Sequence, residues 1–419
     1  MTSSNKSLYV FILFLFTFAS IQSQENIRVE YGDVFKHEKR EIPVNFLGKD
    51  DSAYYLLYAE GRFGQGDEMT IRKFNLDLTP TNTEISLKHE VTDGKFNSLG
   101  VTKLKNNIIH VYYVLTDTGK KFYYQTVSLD DFTLGEQHFI SEIEHDTKNA
   151  LYAISRFLIS DDEETVTLFY TIPNKNKELA KIRVQTFDAN FNEKTSNDFE
   201  FQFQNKFFGI HNIFINKQNE MFLLCKKINN VDDPIIKNRS YEFHVYKIID
   251  SSINLITTVT PEKGVNLRFL TPTFSTDNNV FLTGLTSKRN IYAMSGIYAA
   301  KVNLDNGEKL YETYNSFDPY FITQLAKSGK KKDRLIKKVN EGKYEDPNYI
   351  LSNVIADEND ELLVLAEQLR SYTYNYVTTY YNNNIAALRL NNKGEVVWKN
   401  KIGKRQEKTN VNIYNSYLV

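Results

Sequence analysis

Six times between Asp51 and Asp360 a polar turn is followed at once by a short, almost uninterrupted apolar run. The turns are Lys49-Asp50-Asp51, Lys105-Asn106-Asn107, 161–164, Lys217-Gln218-Asn219, Asp277-Asn278-Asn279 and 357–360. The runs behind them are 54–58, 108–113, 166–170, 221–225, 280–282 and 362–365. Because these runs do not alternate with polar residues, they read as strands buried on both faces. A second marker lies later in each unit, an apolar-polar strand that ends on an Asx residue: Asp77, Asp130, Asn190, Asp250, Asp305 and Asn391. Asp and Asn bond their own backbone and tolerate turn geometry, so they end strands readily.

The Asx markers lie 53, 60, 60, 55 and 86 residues apart. Setting aside a charged, helix-like insertion of 31 residues, 318–348, brings the last gap to 55 as well. Four strands of ~6 residues with connections of ~4–8 make a unit of this size. In each unit, strand A precedes the first turn, B is the apolar run, C ends on the Asx residue and D follows. Repeats of this kind stack or close radially, and radial closure protects the sheet edges. The expected fold is an all-β propeller of six recognisable four-stranded blades, with a short helical insertion between blades 5 and 6. The final residues, 411–419, read as the start of an incomplete seventh blade or as the segment that closes the ring.

Composition adds limits. Tyr and Phe number 27 and 29, which favours strands over helices. Eight prolines and no low-complexity linker argue for one domain over 24–419. Lys6 precedes a twelve-residue apolar stretch, 8–19, and then Ser20-Ile21-Gln22-Ser23, the layout of a secretory signal with cleavage after Ser23. Twelve residues span only ~18 Å of helix against a ~30 Å hydrocarbon core, so the expectation is export, with no transmembrane segment after signal removal. A formal charge of −1 gives no field that would recruit nucleic acid. Cys225 is the only cysteine, so no disulfide forms within the chain.

The segment Ala366-Glu367-Gln368, a Tyr/Thr-rich insertion, then Asn384-Ile385-Ala386-Ala387, Gly394-Glu395-Val396-Val397-Trp398 and Lys404-Arg405-Gln406 resembles a group of uncharacterised exported bacterial proteins that look propeller-like. Lys343-Tyr344-Glu345-Asp346-Pro347 fits the same group, and the resemblance covers 343–417. It implies export and a β fold, and it brings no catalytic residues.

Catalytic signatures are absent: no HExxH, CxxC, GxSxG or GxxxxGK[ST] occurs. The seven histidines are scattered, with only His138 and His145 close in sequence, so no metal or cofactor is expected. His110 reads as a core imidazole, and Ser275–Phe281, superficially like an Asp-box, as an ordinary turn. Asp67-Glu68, Asp117 and Glu144 with Asp146 could supply paired acids for glycoside hydrolysis, although surface acids are the simpler reading. These observations favour an exported, non-enzymatic binding or scaffold propeller. A secreted polysaccharide hydrolase or lyase is the alternative.

Antiparallel strands put the A–B and C–D turns at one end of each blade, and the B–C and D–A connections at the other. The insertion 318–348 is a D–A connection, and 371–384 reads as the B–C loop of unit 6, so both emerge at one end. The first carries Lys331 and Arg334 on a basic amphipathic helix. The second carries Tyr372, Tyr374 and Tyr376 at period two, on one side if extended. The tyrosines either grip a glycan or protein partner or pack the helix onto the ring. Loops lengthened on a rigid scaffold are where binding concentrates, so these five residues are the candidate binding site.

Overall fold

The computed structural model describes residues 41–60, 69–87, 94–145, 153–175, 177–229, 241–275, 277–290, 292–374 and 377–409. The signal-like segment 6–23 and the candidate seventh-blade segment 411–419 lie outside the described residues.

The described residues form six blade sheets in sequence order, with one further two-stranded sheet. Blade 1 is β1 (Glu41–Lys49), β2 (Ala53–Glu60), β3 (Met69–Asn75) and β4 (Pro80–Ser86); blade 2 is β5 (Lys95–Leu104), β6 (Asn107–Thr116), β7 (Gly119–Ser128) and β8 (His138–Glu144). Blade 3 is β9 (Ser155–Ile159), β10 (Thr165–Ile172), β11 (Leu179–Asp188) and β12 (Glu193–Gln204); blade 4 is β13 (Phe208–Ile215), β14 (Met221–Ile228), β15 (Tyr241–Ile249) and β16 (Ser252–Val259). In blade 5, strand A is split into β17 (Asn266–Leu267) and β18 (Thr271–Phe274), both paired with β19 (Asn279–Ser287). Its B–C connection holds β20 (Ala293–Met294), before β21 (Gly296–Asn303) and β22 (Lys309–Ser316). The insertion follows, with α1 (Pro319–Ile322), α2 (Lys330–Asn340) and β23 (Asp346–Pro347), which pairs with β20. Blade 6 is β24 (Tyr349–Ala356), β25 (Leu362–Tyr374), β26 (Val377–Leu390) and β27 (Val396–Ile402), with β28 (Gln406–Thr409) on the outer stretch of β26.

Every blade is an antiparallel meander in the order A-B-C-D. Strands A of successive blades approach one another, β1 to β5, β5 to β9, β13 to β18 and β18 to β24, which puts them innermost. The protein is a six-bladed β-propeller with four-stranded blades.

The apolar runs serve two interfaces at once. Phe222 and Leu224 of β14 join a core shared with blade 5, while Met221, Leu223 and Cys225 join one shared with blade 3. Side chains alternate across a strand, so a strand between two blades must be apolar at every position. Five such cores join consecutive blades from 1 to 6. Among the described residues no comparable core joins blade 6 to blade 1. There, Leu363 and Trp398 on the face of blade 6 turned away from blade 5 remain exposed, as does Phe46 on blade 1.

The turns hold backbone conformations suited to their sequence. Lys105, Glu163, Asn219, Asn278 and Asp360, all in A–B turns, have φ between 48° and 62°. At the C–D turns Asp188, Asn303 and Asn391 accept main-chain N–H bonds from Asn190, Asp305 and Lys393 at 2.8, 2.9 and 3.0 Å. His110 is buried with Nε2 3.0 Å from Ser98 Oγ, a satisfied core group.

Candidate functional site

The insertion opens on a helix that its own sequence caps. Asp318 accepts from Phe321 N at 2.9 Å, and Pro319 opens α1. Phe321 and Ile322 then bury themselves in the core between blades 5 and 6. In α2, Asp333 sits in the first turn and Lys337 and Lys338 in the last, matching the helix dipole. Leu335, Ile336 and Val339 are half-buried, while Lys331 and Arg334 face solvent. The helix therefore lies on the ring by one weak apolar edge.

Beyond the helix, Glu345 staples the insertion to the B–C connection of blade 5. Its carboxylate accepts from Lys288 N at 2.6 Å and Arg289 N at 3.1 Å. Asn348 N donates to Tyr292 O at 2.6 Å. The insertion and a B–C connection thus share one end of the ring, as antiparallel topology requires.

A cleft of about 430 Å³ opens between the insertion and blade 6. Lys331, Leu335 and Tyr344 line it from one side, Gln368 and Asn384 from the other, and Asp346 and Lys401 from below. Lys401 Nζ bonds Asp346 Oδ2 and donates to Ile322 O at 2.8 Å. Burial pushes the Asp346 carboxyl up, partly opposed by Lys401, and burial pulls the Lys401 ammonium down. The Tyr349 hydroxyl faces the same carboxylate, and burial followed by that charge drives it up. Gln368 donates to Pro347 O at 2.9 Å, Asn384 donates to Gln368 Oε1 at 3.1 Å, and Lys404 pairs with the buried Glu367. Chemically the cleft has a desolvated acid–base pair at its base and cations and amides at its mouth.

Residues 371–374 and 377–384 are strand, not loop. They continue β25 and β26 as a hairpin arm, with Tyr372 opposite Thr379 and Tyr374 opposite Val377. Backbone pairing is satisfied within the arm, and β28 pairs the outer edge of β26, so polar and tyrosine-rich sequence can remain extended without a core. Tyr372 and Tyr374 lie on one face, 57% and 65% exposed. Tyr376 lies outside the described residues. At those exposures the first two do not pack the helix onto the ring. Lys331 and the base of the hairpin, Gln368 and Asn384, meet at the cleft, whereas Tyr372 and Tyr374 stand beyond it on the arm.

Of the candidate acids, Asp117 and Glu144 are exposed, and Asp67, Glu68 and Asp146 lie outside the described residues. Among the described residues no group of three or more His, Cys, Asp or Glu could hold a metal ion, and no helix is long and apolar enough to cross a membrane. Sequence reasoning missed His211, Lys226 and Arg268, which come together from blades 4 and 5 at the same end of the ring. Nothing in their spacing announces it, since they lie on three separate segments.

No protein-family model and no curated protein matches this sequence. Among solved structures the chain is similar to an ulvan lyase of polysaccharide lyase family PL25, bound to -[GlcA(1-4)Rha3S]-, with 9% identity, TM-score 0.45, and 85% of this chain and 79% of that one covered. It is similar to the β-propeller domain of the Trilobed protease from Pyrococcus furiosus, at 10% identity and TM-score 0.38, over 91% and 98% of the two chains. A protein of unknown function from Dyadobacter fermentans gives 9% identity and TM-score 0.38, over 75% and 96%. At these scores the likenesses assign no function, and the propeller rests on the strand pairing itself.

Proposed function

We propose that this is an exported propeller that binds an acidic ligand, a glycan or a protein loop, without converting it. The binding face is the end of the ring that carries the B–C and D–A connections. One observation carries the reading: Lys331 of a solvent-facing basic helix lines a cleft whose other wall, Gln368 and Asn384, is the base of the hairpin arm that carries the exposed Tyr372 and Tyr374. Exposed tyrosines give contact area and a hydroxyl, cations give preference for anions, and the ring keeps both in place. Export follows from the signal-like segment 6–23. The test is a glycan array and pull-down with the mature chain, repeated at high salt. Capture of acidic ligands that weakens with salt is expected, and exclusive capture of neutral ligands would sink the reading.

A second reading rests on Asp346, whose raised carboxyl beside Tyr349 and Lys401 is the kind of group that exchanges protons in catalysis. In that case the protein is a secreted polysaccharide hydrolase or lyase. Incubating each captured glycan with the protein and assaying new reducing ends separates the two. Chain cleavage abolished by Asp346→Asn favours the enzyme.

A further inference from the structure

At the end of the ring that carries the insertion, three basic side chains converge, and among the described residues none of them meets an acid. Lys226 of β14 lies with its ammonium 3.7 Å from the Tyr241 ring centroid and 5.3 Å from that of Phe243. Arg268, in the break between β17 and β18, lies 4.6 Å over Phe269 and 4.1 Å over Tyr292. The His211 ring of β13 meets Phe243 at 5.6 Å and Phe269 at 5.4 Å.

The local fold holds this arrangement. The Tyr241 hydroxyl donates to Leu267 O at 2.8 Å and accepts from Leu267 N at 2.7 Å, which fixes the blade 5 segment beside Lys226. The break in strand A of blade 5 is possible because Gly284 lies beneath it: a Cβ there would stand 2.4 Å from Phe269 O. That break turns Phe269 outward, 46% exposed, with Tyr292 47% exposed beside it.

Other shielded lysines in the protein have acceptors. Lys247 meets Glu220, Lys301 meets Asp360 and Lys401 meets Asp346, while Lys120 donates to Ala153 O at 2.6 Å. Among the described residues, Lys226, Arg268 and His211 have no hydrogen bond or ion pair and meet only ring faces. Burial and then Arg268 push Lys226 down to about 8, and burial and then Lys226 push His211 down to about 4. Near neutral pH the cluster holds two cations that lie over rings but meet no acceptor among the described residues, and a neutral imidazole. Such charge is unfavourable when half-buried unless an anion arrives.

We propose that this cluster seats the acidic group of a saccharide, a carboxylate or sulfate ester held between Lys226 and Arg268, with the sugar ring against Phe269 and Tyr292. Exposed aromatic planes beside cations suit a pyranose face and its acidic substituent together. A peptide that docks by main-chain pairing would need free backbone groups, and the N–H and C=O of Leu267 are already bonded to Tyr241. The inference rests on the acidic-ligand reading above for the charge of the ligand, and adds a second site at the same end of the ring with one ligand class.

The test is calorimetric titration of the mature protein with trigalacturonate, a sulfated disaccharide, neutral galactotriose and inorganic sulfate. Lys226→Met, Arg268→Gln and, as a control at the opposite end of the ring, Gln218→Ala in an exposed A–B turn are titrated alongside. The acidic saccharides should bind and the neutral one should not. Either charge substitution should weaken binding by about tenfold or more, and Gln218→Ala should bind as the parent does. Affinity should also fall as pH rises through about 8, where Lys226 loses its proton in a setting that also includes His211, Tyr241 and Arg268. Lys226→Met keeps an apolar stem against Tyr241 and Phe243 and removes a shielded cation that meets no acceptor among the described residues, so its melting temperature should not drop, which separates lost binding from lost folding. If acidic saccharides bind but both charge variants bind like the parent, the site is wrong while the acidic-ligand reading stands. If no acidic saccharide binds, both fail. Inorganic sulfate binding as tightly as the saccharides overturns the sugar assignment.

Discussion

The Asn219 side-chain amide donates to Asp162 Oδ2 at 2.7 Å, joining the A–B turns of blades 3 and 4 across 57 residues of sequence. The same link recurs around the ring with different chemistry. Lys105 Nζ meets Glu164 Oε1 at 2.6 Å, Asn216 donates to Asn278 Oδ1 at 2.8 Å, and Ser275 Oγ donates to Asp360 Oδ1 at 2.5 Å. The repeated polar turns are therefore staples between blades 2 and 6, as well as strand breaks.

The strongest of these staples should be Asp360. Besides Ser275 it holds Lys301 Nζ at 2.5 Å, and both partners are largely shielded from water. Replacing Asp360 with alanine strands a nearly buried ammonium, at a cost of about 3 kcal/mol. Asp162→Ala, at an exposed turn, should cost clearly less. Urea denaturation of both variants checks the order; equal losses would mean that Asp360 contributes no more than a surface turn.

Acid should weaken the ring through these same groups. Asp162 is held down to about 2 by hydrogen bonds from Ser160, Glu164 N and Asn219. At Asp50 burial pulls upward, but Tyr55, Ser52 and two main-chain N–H groups outweigh it and bring the carboxyl to about 2 as well. An unfolded Asp titrates at about 3.9, so between about pH 4 and 2 the unfolded chain binds more protons and stability falls with pH. Urea midpoints should hold level above about pH 5 and drop across that window. A level acid limb down to pH 2 contradicts the account.

The Asp346–Lys401 pair should behave as a buried ion pair. Lys401→Met alone leaves a buried carboxylate without its counter-ion and should cost about 3–5 kcal/mol. With Asp346 raised further by that loss, the variant should lose stability as pH rises through the folded pKa, because the charged form is the disfavoured one. Asp346→Asn combined with Lys401→Met should recover most of the loss. Thermal melts at two pH values give the double-mutant cycle, and a double variant as unstable as the single one would show that packing, not charge, holds this corner.

On the hairpin arm the expectation is opposite in kind. Tyr372 and Tyr374 are mostly exposed, so serine at both, and at Tyr376, should leave stability within about 0.5 kcal/mol. Binding of any ligand that uses the arm should weaken. Melting curves and affinity are measured on the same triple variant. Lost stability with unchanged affinity would remove the tyrosines from the binding face.

The arm also marks where sequence reading fell short. The stretch 371–384 reads as a loop because it is polar and tyrosine-rich, yet its backbone is satisfied by its own ladder and by β28, and neither partner is visible from residue type. The insertion was easier. Its basic helix and its place between blades follow from local chemistry, and so does the end of the ring from which it emerges.

Sequence by itself determined the blade. Apolar runs without alternation mean strands covered on both faces, and Asx turns at a steady spacing mean four-stranded units, because both follow from local geometry. Tertiary structure decided which residues became neighbours: Asn219 with Asp162, Asp346 with Lys401, and Lys226 with Arg268. Those pairs join blades, or blades with the insertion, and their contact depends on how whole sheets lean on one another. A charge cluster assembled from three separate segments has no period, so it exists only once the ring is built.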